Sequence, residues 1–98
     1  MPAFVINDME VTNPELLEEY KKLSAPTVKQ FGGRFIARGG RVLPLEGEWN
    51  PQRIVIIEFP TLEQATSWAG SVEYAPAKRL RQKASNSKLI VVEGVALP

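Results

Sequence analysis

Cysteine and histidine are both absent from the chain. Their absence removes thiol nucleophiles, disulfides, the usual zinc sites and histidine-ligated haem from the available chemistry. An excess of one charge is missing too: twelve Lys and Arg oppose eleven Asp and Glu, for a net charge of +1. Strong electrostatic capture of nucleic acid or of an anionic membrane is therefore not expected. No apolar run approaches the roughly 20 residues that span a bilayer, and the opening MPAFVINDMEV has no basic leader region. With no D-x-D cluster and no calcium-loop spacing either, the expectation is a cytoplasmic protein with no metal and no other cofactor.

What remains is ordinary globular material. At 98 residues, 44% hydrophobic and 23% charged, the chain suits a single domain, 1–98, with one core and no room for two. Ala3 to Met9 alternates as a first strand, placing Phe4, Ile6 and Asp8 on one side and Ala3, Val5, Asn7 and Met9 on the other. A helix start follows. Thr12 with Glu15 fits a capping box, while Asn13 with Pro14 fits a cap followed by Pro at the first helical position, and both registers stay open. Leu16, Tyr20 and Leu23 form one stripe of this helix with Leu17 beside it. Pro26 is expected to kink or restart the helix near Ser24, and Gly32-Gly33 ends it.

Arg34 to Arg38 reads as a second strand, with Phe35 and Ala37 facing one way and Arg34, Ile36 and Arg38 the other. A bulge or bend at Gly39-Gly40 lets Val42 to Leu45 continue along a sheet edge, where Pro44 is tolerated. Gly47 to Pro51 makes a turn, and about Gln52 to Phe59 makes a third strand that Pro60 stops. Thr61 and Gln64 repeat the capping-box spacing before a helix that uses Leu62, Ala65 and Ala69, flanked by Trp68. A further helical segment runs from beyond Ser71 to about Lys83, with Pro76 in its first turn. Ala77, Leu80 and Ala84 point inward there, and Lys78, Arg79, Arg81 and Lys83 outward. Lys88 to Val95 is the last strand.

The order βαββαβ predicts an α+β, ferredoxin-like fold: a four-stranded antiparallel sheet with helices on one face. Ile54 to Phe59 and Leu89 to Val92 are apolar on both sides, so the second face also needs a cover. The simplest cover is the same face of another copy, a homodimer burying on the order of 2,000 Å².

The combination Gly32-Gly33-Arg34, Ala37-Arg38-Gly39-Gly40, Glu46-Gly47-x-Trp49 and Ile57-Glu58-Phe59-Pro60, followed by Ser71-Val72-Glu73-Tyr74 and Lys78-Arg79-Leu80-Arg81, carries a resemblance over nearly the whole chain. It is similar to the small bacterial family described as domain of unknown function 1330, which itself resembles the dimeric α+β barrel superfamily. The resemblance implies that fold and a dimer; the family has no settled activity. The wider superfamily holds cofactor-free monooxygenases, lactone isomerases and haem enzymes, which implies by analogy a pocket between sheet and helices. Without histidine the usual haem arrangement does not suit this chain. Pro76 departs from the family's pattern, where a helix-compatible residue is usual.

Candidate chemistry centres on two residues. Glu58 shares a strand face with Ile54 and Ile56 and needs a partner, which Arg34 or Arg38 can supply as a bidentate guanidinium. Such a Glu is either a general base or anion holder, with Arg38 orienting the ligand, or an ion pair that closes the end of the sheet. Arg34, Trp49 and Tyr74 are candidate substrate-binding residues. Against that, Trp49 equally suits packing over a partner subunit, Tyr74 suits closing a helix start, and Tyr20 and Trp68 read as core. Glu93 pairs with Glu58 as acid and base only if the two share a face. The cations Lys78, Arg79, Arg81, Lys83 and Lys88 read as a solvated helix face, since no interleaved aromatics accompany them. Nothing matches a phosphate loop. The expected function is the binding of a small organic acid or aromatic, with cofactor-independent catalysis in one version and a non-catalytic dimeric module as the alternative.

Overall fold

Alternation at the start of the chain produces the strand around which the sheet forms. In the computed structural model, which describes residues 1–96, β1 (Ala3–Val11) pairs antiparallel with both β3 (Arg53–Phe59) and β4 (Ser85–Glu93). A short β2 (Arg34–Arg38) adds outside β3, so the order is β2-β3-β1-β4. The helices are α1 (Pro14–Gln30), α2 (Leu62–Ala69) and α3 (Ala75–Ala84). This is the α+β, ferredoxin-like arrangement, with its second helical position divided at Gly70 into two short helices.

All three helices cover the face that carries Ala3, Val5, Asn7 and Met9, together with Val55, Ile57 and Phe59 of β3. The core centres on an aromatic row. Phe59 stacks on Trp68 at 5.5 Å between centroids, Trp68 on Tyr74 at 4.1 Å, and Tyr74 meets Tyr20 edge to face at 6.4 Å. Each such pair adds about 0.5–1.5 kcal/mol beyond the area it buries. The Trp68 indole N–H donates to Thr27 Oγ1 at 3.0 Å, so its buried polar end is satisfied.

The helix starts resolve the register left open by the sequence. Asn13 is the cap of α1, its Oδ1 accepting from the Leu16 N–H at 3.2 Å, with Pro14 in first position. The restart expected near Ser24 does not occur, and α1 runs through Pro26. Its buried stripe is Leu17, Tyr20, Ser24, Thr27 and Val28, while Leu23 is 47% exposed. The apolar spacing Leu16–Tyr20–Leu23 thus gives way to a face that includes the hydroxyls of Tyr20, Ser24 and Thr27. At α2 the capping box forms as expected, Thr61 Oγ1 accepting from the Gln64 N–H at 3.1 Å.

Further expectations are corrected. Residues 42–45 form no strand: the chain leaves the sheet at Gly39, whose φ of +73° turns it away, and Leu45 is 97% exposed. The bend expected at Gly39-Gly40 forms at Gly39, and an unexpected bulge lies at Ile36, inside β2; Phe35 pairs with Ile57 and Ala37 with Ile56, leaving Ile36 as the extra residue. And Arg81, expected to face solvent, is buried at 7% exposure. The last strand also lies earlier than Lys88 to Val95, at Ser85–Glu93.

Candidate functional site

One extra residue decides which arginine faces what. In an unbroken strand Phe35 and Arg38 would lie on opposite faces, but the bulge at Ile36 inverts the parity. Arg38 opposes Val55, and its guanidinium carbon sits 4.1 Å from the centre of the Phe35 ring, on the helix-covered side. Glu58 opposes Phe4 and Arg34 on the open side, where Arg34 Nη2 donates to Glu58 Oε1 at 2.9 Å. Arg34 is the partner that Glu58 required; Arg38, the other candidate, is on the far side of the sheet. A site using Glu58 and Arg38 together is therefore not assembled within one chain. Glu93 opposes Ala3 and belongs to the covered-side register, so Glu58 and Glu93 do not share a face.

Trp49 folds toward the open side. Its indole N–H donates to Asp8 Oδ2 at 3.0 Å, anchoring the loop that follows β2, while the ring itself is 61% exposed. Around it the open face is apolar: Phe4 and Ile6 of β1, Ile54 and Ile56 of β3, and Ile90 and Val92 of β4, the last two 62% and 46% exposed.

Between the sheet and the helices lies a narrow, partly open cavity of about 20 Å³, lined among others by Asn7, Tyr20, Ser24, Arg38, Arg53 and Trp68. That volume holds about one water. Its walls are unusual in two respects. Arg38 and Arg53 line it with no carboxylate among the lining residues, the third cation there, Lys21, being paired with Glu18, so the local field favours an anion. In addition, Asn7 Oδ1 and Arg53 Nε are buried there without a hydrogen-bond partner. Buried polar atoms are normally satisfied, so a pair of them on one cavity calls for an occupant. The nearest acid on α1, Glu18, lies outside; a hydrogen bond from Lys21 at 3.0 Å, then the Lys21 charge and more weakly that of Arg53, hold its carboxyl below the usual range.

The backbone explains how Arg53 closes the cavity. Its guanidinium occupies the space that a side chain on Gly39 would fill, and the Gly39 N–H donates to the Ile54 carbonyl at 3.2 Å. Arg38 and Arg53, two long side chains, stand together among the lining residues.

Tyr74 does not line the cavity. It is 1% exposed, its hydroxyl lying 2.9 Å from that of Tyr20 and accepting from Arg81 Nη1 at 3.0 Å. Burial, and next the neighbouring Tyr20, push the Tyr74 hydroxyl far above the ordinary tyrosine range. Tyr74, a candidate substrate-binding residue, thus stands behind the lining residue Tyr20. Asn7, Tyr20 and Arg53 were not singled out as site residues from the sequence. A signal existed for two of them, since Asn7 and Arg53 are the polar residues in otherwise apolar covered-side rows. A separate open groove of about 510 Å³ borders the start of β4, lined by Asp8, Glu10, Arg81 and Lys88 among others, with charges of both signs and no carboxylate-free wall.

Residues 2–95 match the family described as Domain of unknown function (DUF1330). A comparison with curated proteins finds no match. Among solved structures, a protein of unknown function from Rhodopseudomonas palustris is similar at 22% identity, covering 98% of this chain and 84% of its own, with a TM-score of 0.75. SnoaB, a cofactor-independent oxygenase from Streptomyces nogalater, is similar at 13% identity, with 98% and 95% coverage and a TM-score of 0.70. A dimeric ferredoxin-like protein of unknown function from Jannaschia sp. CCS1 is similar at 8% identity, with 96% and 100% coverage and a TM-score of 0.68. At these identities the likeness is one of fold.

Proposed function

The chain belongs to the DUF1330 family, and from that membership and the cavity together we propose that it binds a small organic acid or aromatic between sheet and helices, as a homodimer joined through the open sheet face. The carrying observation is the coincidence, on one carboxylate-free wall, of Arg38, Arg53 and two buried polar atoms that lack partners. Arg38 and Arg53 donate to the anionic or electron-rich group of the ligand, and Asn7 Oδ1 accepts from a ligand that also carries a donor. Glu58, first considered as a base, is assigned with Arg34 to the rim of the dimer interface, because it lies with the apolar residues of the open face. The same role suits Trp49. The dimeric Jannaschia protein supports this mode of assembly by fold analogy, and SnoaB makes cofactor-independent chemistry a consistent use of such a cavity.

The small volume supports a second reading, in which the protein is a non-catalytic dimeric module and its cavity holds only water. Thermal unfolding with benzoate separates the two. Ligand that binds only the folded state raises the midpoint in a concentration-dependent way. The binding reading expects such a shift in the native protein and in Glu58→Gln, and its loss in Arg38→Ala. No shift with benzoate or other small aromatic acids at millimolar concentration favours the module; equal shifts in native protein and Arg38→Ala place the ligand elsewhere.

A further inference from the structure

Hydrogen-bond direction in the buried Tyr20, Tyr74 and Arg81 cluster follows from what each group can do. An arginine only donates, so Arg81 Nη1 donates to the Tyr74 oxygen across 3.0 Å. Tyr74 is 1% exposed, and its only other polar neighbour among the described residues is the Tyr20 hydroxyl at 2.9 Å. If Tyr20 donated across that contact, the Tyr74 proton would be buried with no acceptor, a costly arrangement. Tyr74 therefore donates to Tyr20. The Tyr20 oxygen accepts, and its own proton has no protein acceptor. Tyr20 lines the cavity, where Asn7 Oδ1 lacks a donor and Arg53 Nε lacks an acceptor.

We propose that Arg81, acting through Tyr74, holds the Tyr20 hydroxyl as a donor into the cavity, and that the ligand is hydroxylated: an oxygen accepts from Tyr20 and Arg53 while an O–H donates to Asn7. A phenol or a small hydroxy acid meets both demands; a hydrocarbon meets neither, and a plain carboxylate leaves Asn7 unpaired. The inference rests on the cavity reading above and narrows its ligand. Tyr74 stays protonated throughout the physiological range because burial disfavours its anion, so the direction of the chain does not reverse. Arg81 and Tyr74 are positioning residues that touch no ligand. Only Tyr20 does.

The test compares 4-nitrophenol with 4-nitrotoluene, which differ by the hydroxyl, in binding to the native protein, Tyr20→Phe and Tyr74→Phe, read by tryptophan fluorescence and by the absorption of the phenol. The native protein is expected to prefer the phenol. Tyr20→Phe reduces that preference roughly tenfold, as the loss of one hydrogen bond predicts, and Tyr74→Phe by a smaller factor, with nitrotoluene affinity unchanged in both. Parallel weakening of both probes marks a purely structural role and overturns the assignment, as does an unchanged preference in Tyr20→Phe. Binding of neither probe to the native protein removes the cavity reading itself. The direction of the chain is tested without ligand by NMR on protein carrying Cζ-labelled tyrosine. The slowly exchanging hydroxyl proton between the two rings should couple to Tyr74 Cζ, and coupling to Tyr20 Cζ contradicts the relay.

Discussion

Beneath the helices, Ala3, Val5 and Met9 pack around a polar Asn7, and β3 contributes Arg53 to the same layer; on the other side of the same strands, Phe4, Ile6, Ile56 and Ile90 stand together with Glu58 and Asp8 as the acids among them. The covered face, which the chain shelters by itself, is the one that contains unpartnered polar atoms. The open face, which the chain leaves to water, is also largely apolar. A monomer would be expected to keep that face polar. The difference is resolved if the open face meets its own copy and the covered face meets a polar guest.

The largest expected effect comes from reversing the character of the open face. Ile6 lies between Ile56 and Ile90 in the middle of the sheet, so Ile6→Lys should convert the dimer to monomer, as read by light scattering at micromolar concentration. A native-like dimer in this variant would end the facing-sheet assembly. Next is the aromatic row of the covered face: Trp68→Ala removes the ring held between Phe59 and Tyr74 and should cost about 3–5 kcal/mol in denaturant unfolding.

A smaller effect, of opposite sign, sharpens the comparison. Asn7→Leu removes a buried unpaired acceptor, so the ligand-free protein should gain about 1–2 kcal/mol while weakening its response to salicylate, whose hydroxyl has Asn7 as its acceptor, more than its response to benzoate. Loss of stability instead would mean that Asn7 is already satisfied.

The pH dependence tests the same layer. The Tyr74 hydroxyl is raised above its unfolded value near 10. Stability from its burial is therefore complete below about pH 10 and falls above it, by up to about 1.4 kcal/mol per pH unit, because the unfolded chain releases a proton that the folded chain keeps. Tyr74→Phe should flatten that alkaline limb in unfolding experiments run against pH. The smallest effect belongs to the open-face ion pair. Arg34 is largely exposed and Glu58 partly so, so Glu58→Gln should change stability by less than about 1 kcal/mol.

Much of this contrast could be read from spacing alone. The parity of β1 assigned Phe4, Ile6 and Asp8 to one side and Asn7 to the other correctly, because nothing interrupts that strand. The capping residues marked both main helix starts, since a side-chain oxygen three residues ahead of an amide is a local arrangement. The bulge was not legible. Ile36 is an ordinary strand residue, and its insertion is decided by how β2 registers on β3, a contact across about twenty residues; one displaced position moved Arg38 to the other face. Arg81 was misplaced for a related reason. Its helical spacing made it look solvated, and only the position of Tyr74 at the start of α3 draws it inward. A pocket between sheet and helices was expected by superfamily analogy alone; of its polar lining Arg38 had been singled out as a site residue, Tyr20 and Trp68 had been read as core, and Asn7 and Arg53 had been given no role.

The most direct measurement is the behaviour of the arginine Nε–H groups in a nitrogen–proton NMR correlation during titration with salicylate, which carries both an anion and a hydroxyl. A ligand cavity on the covered face requires the Arg53 Nε–H, unpartnered in the free protein, to shift saturably together with Arg38 while Arg34 stays in place. A stationary Arg53 signal, or a response confined to Arg34, contradicts it.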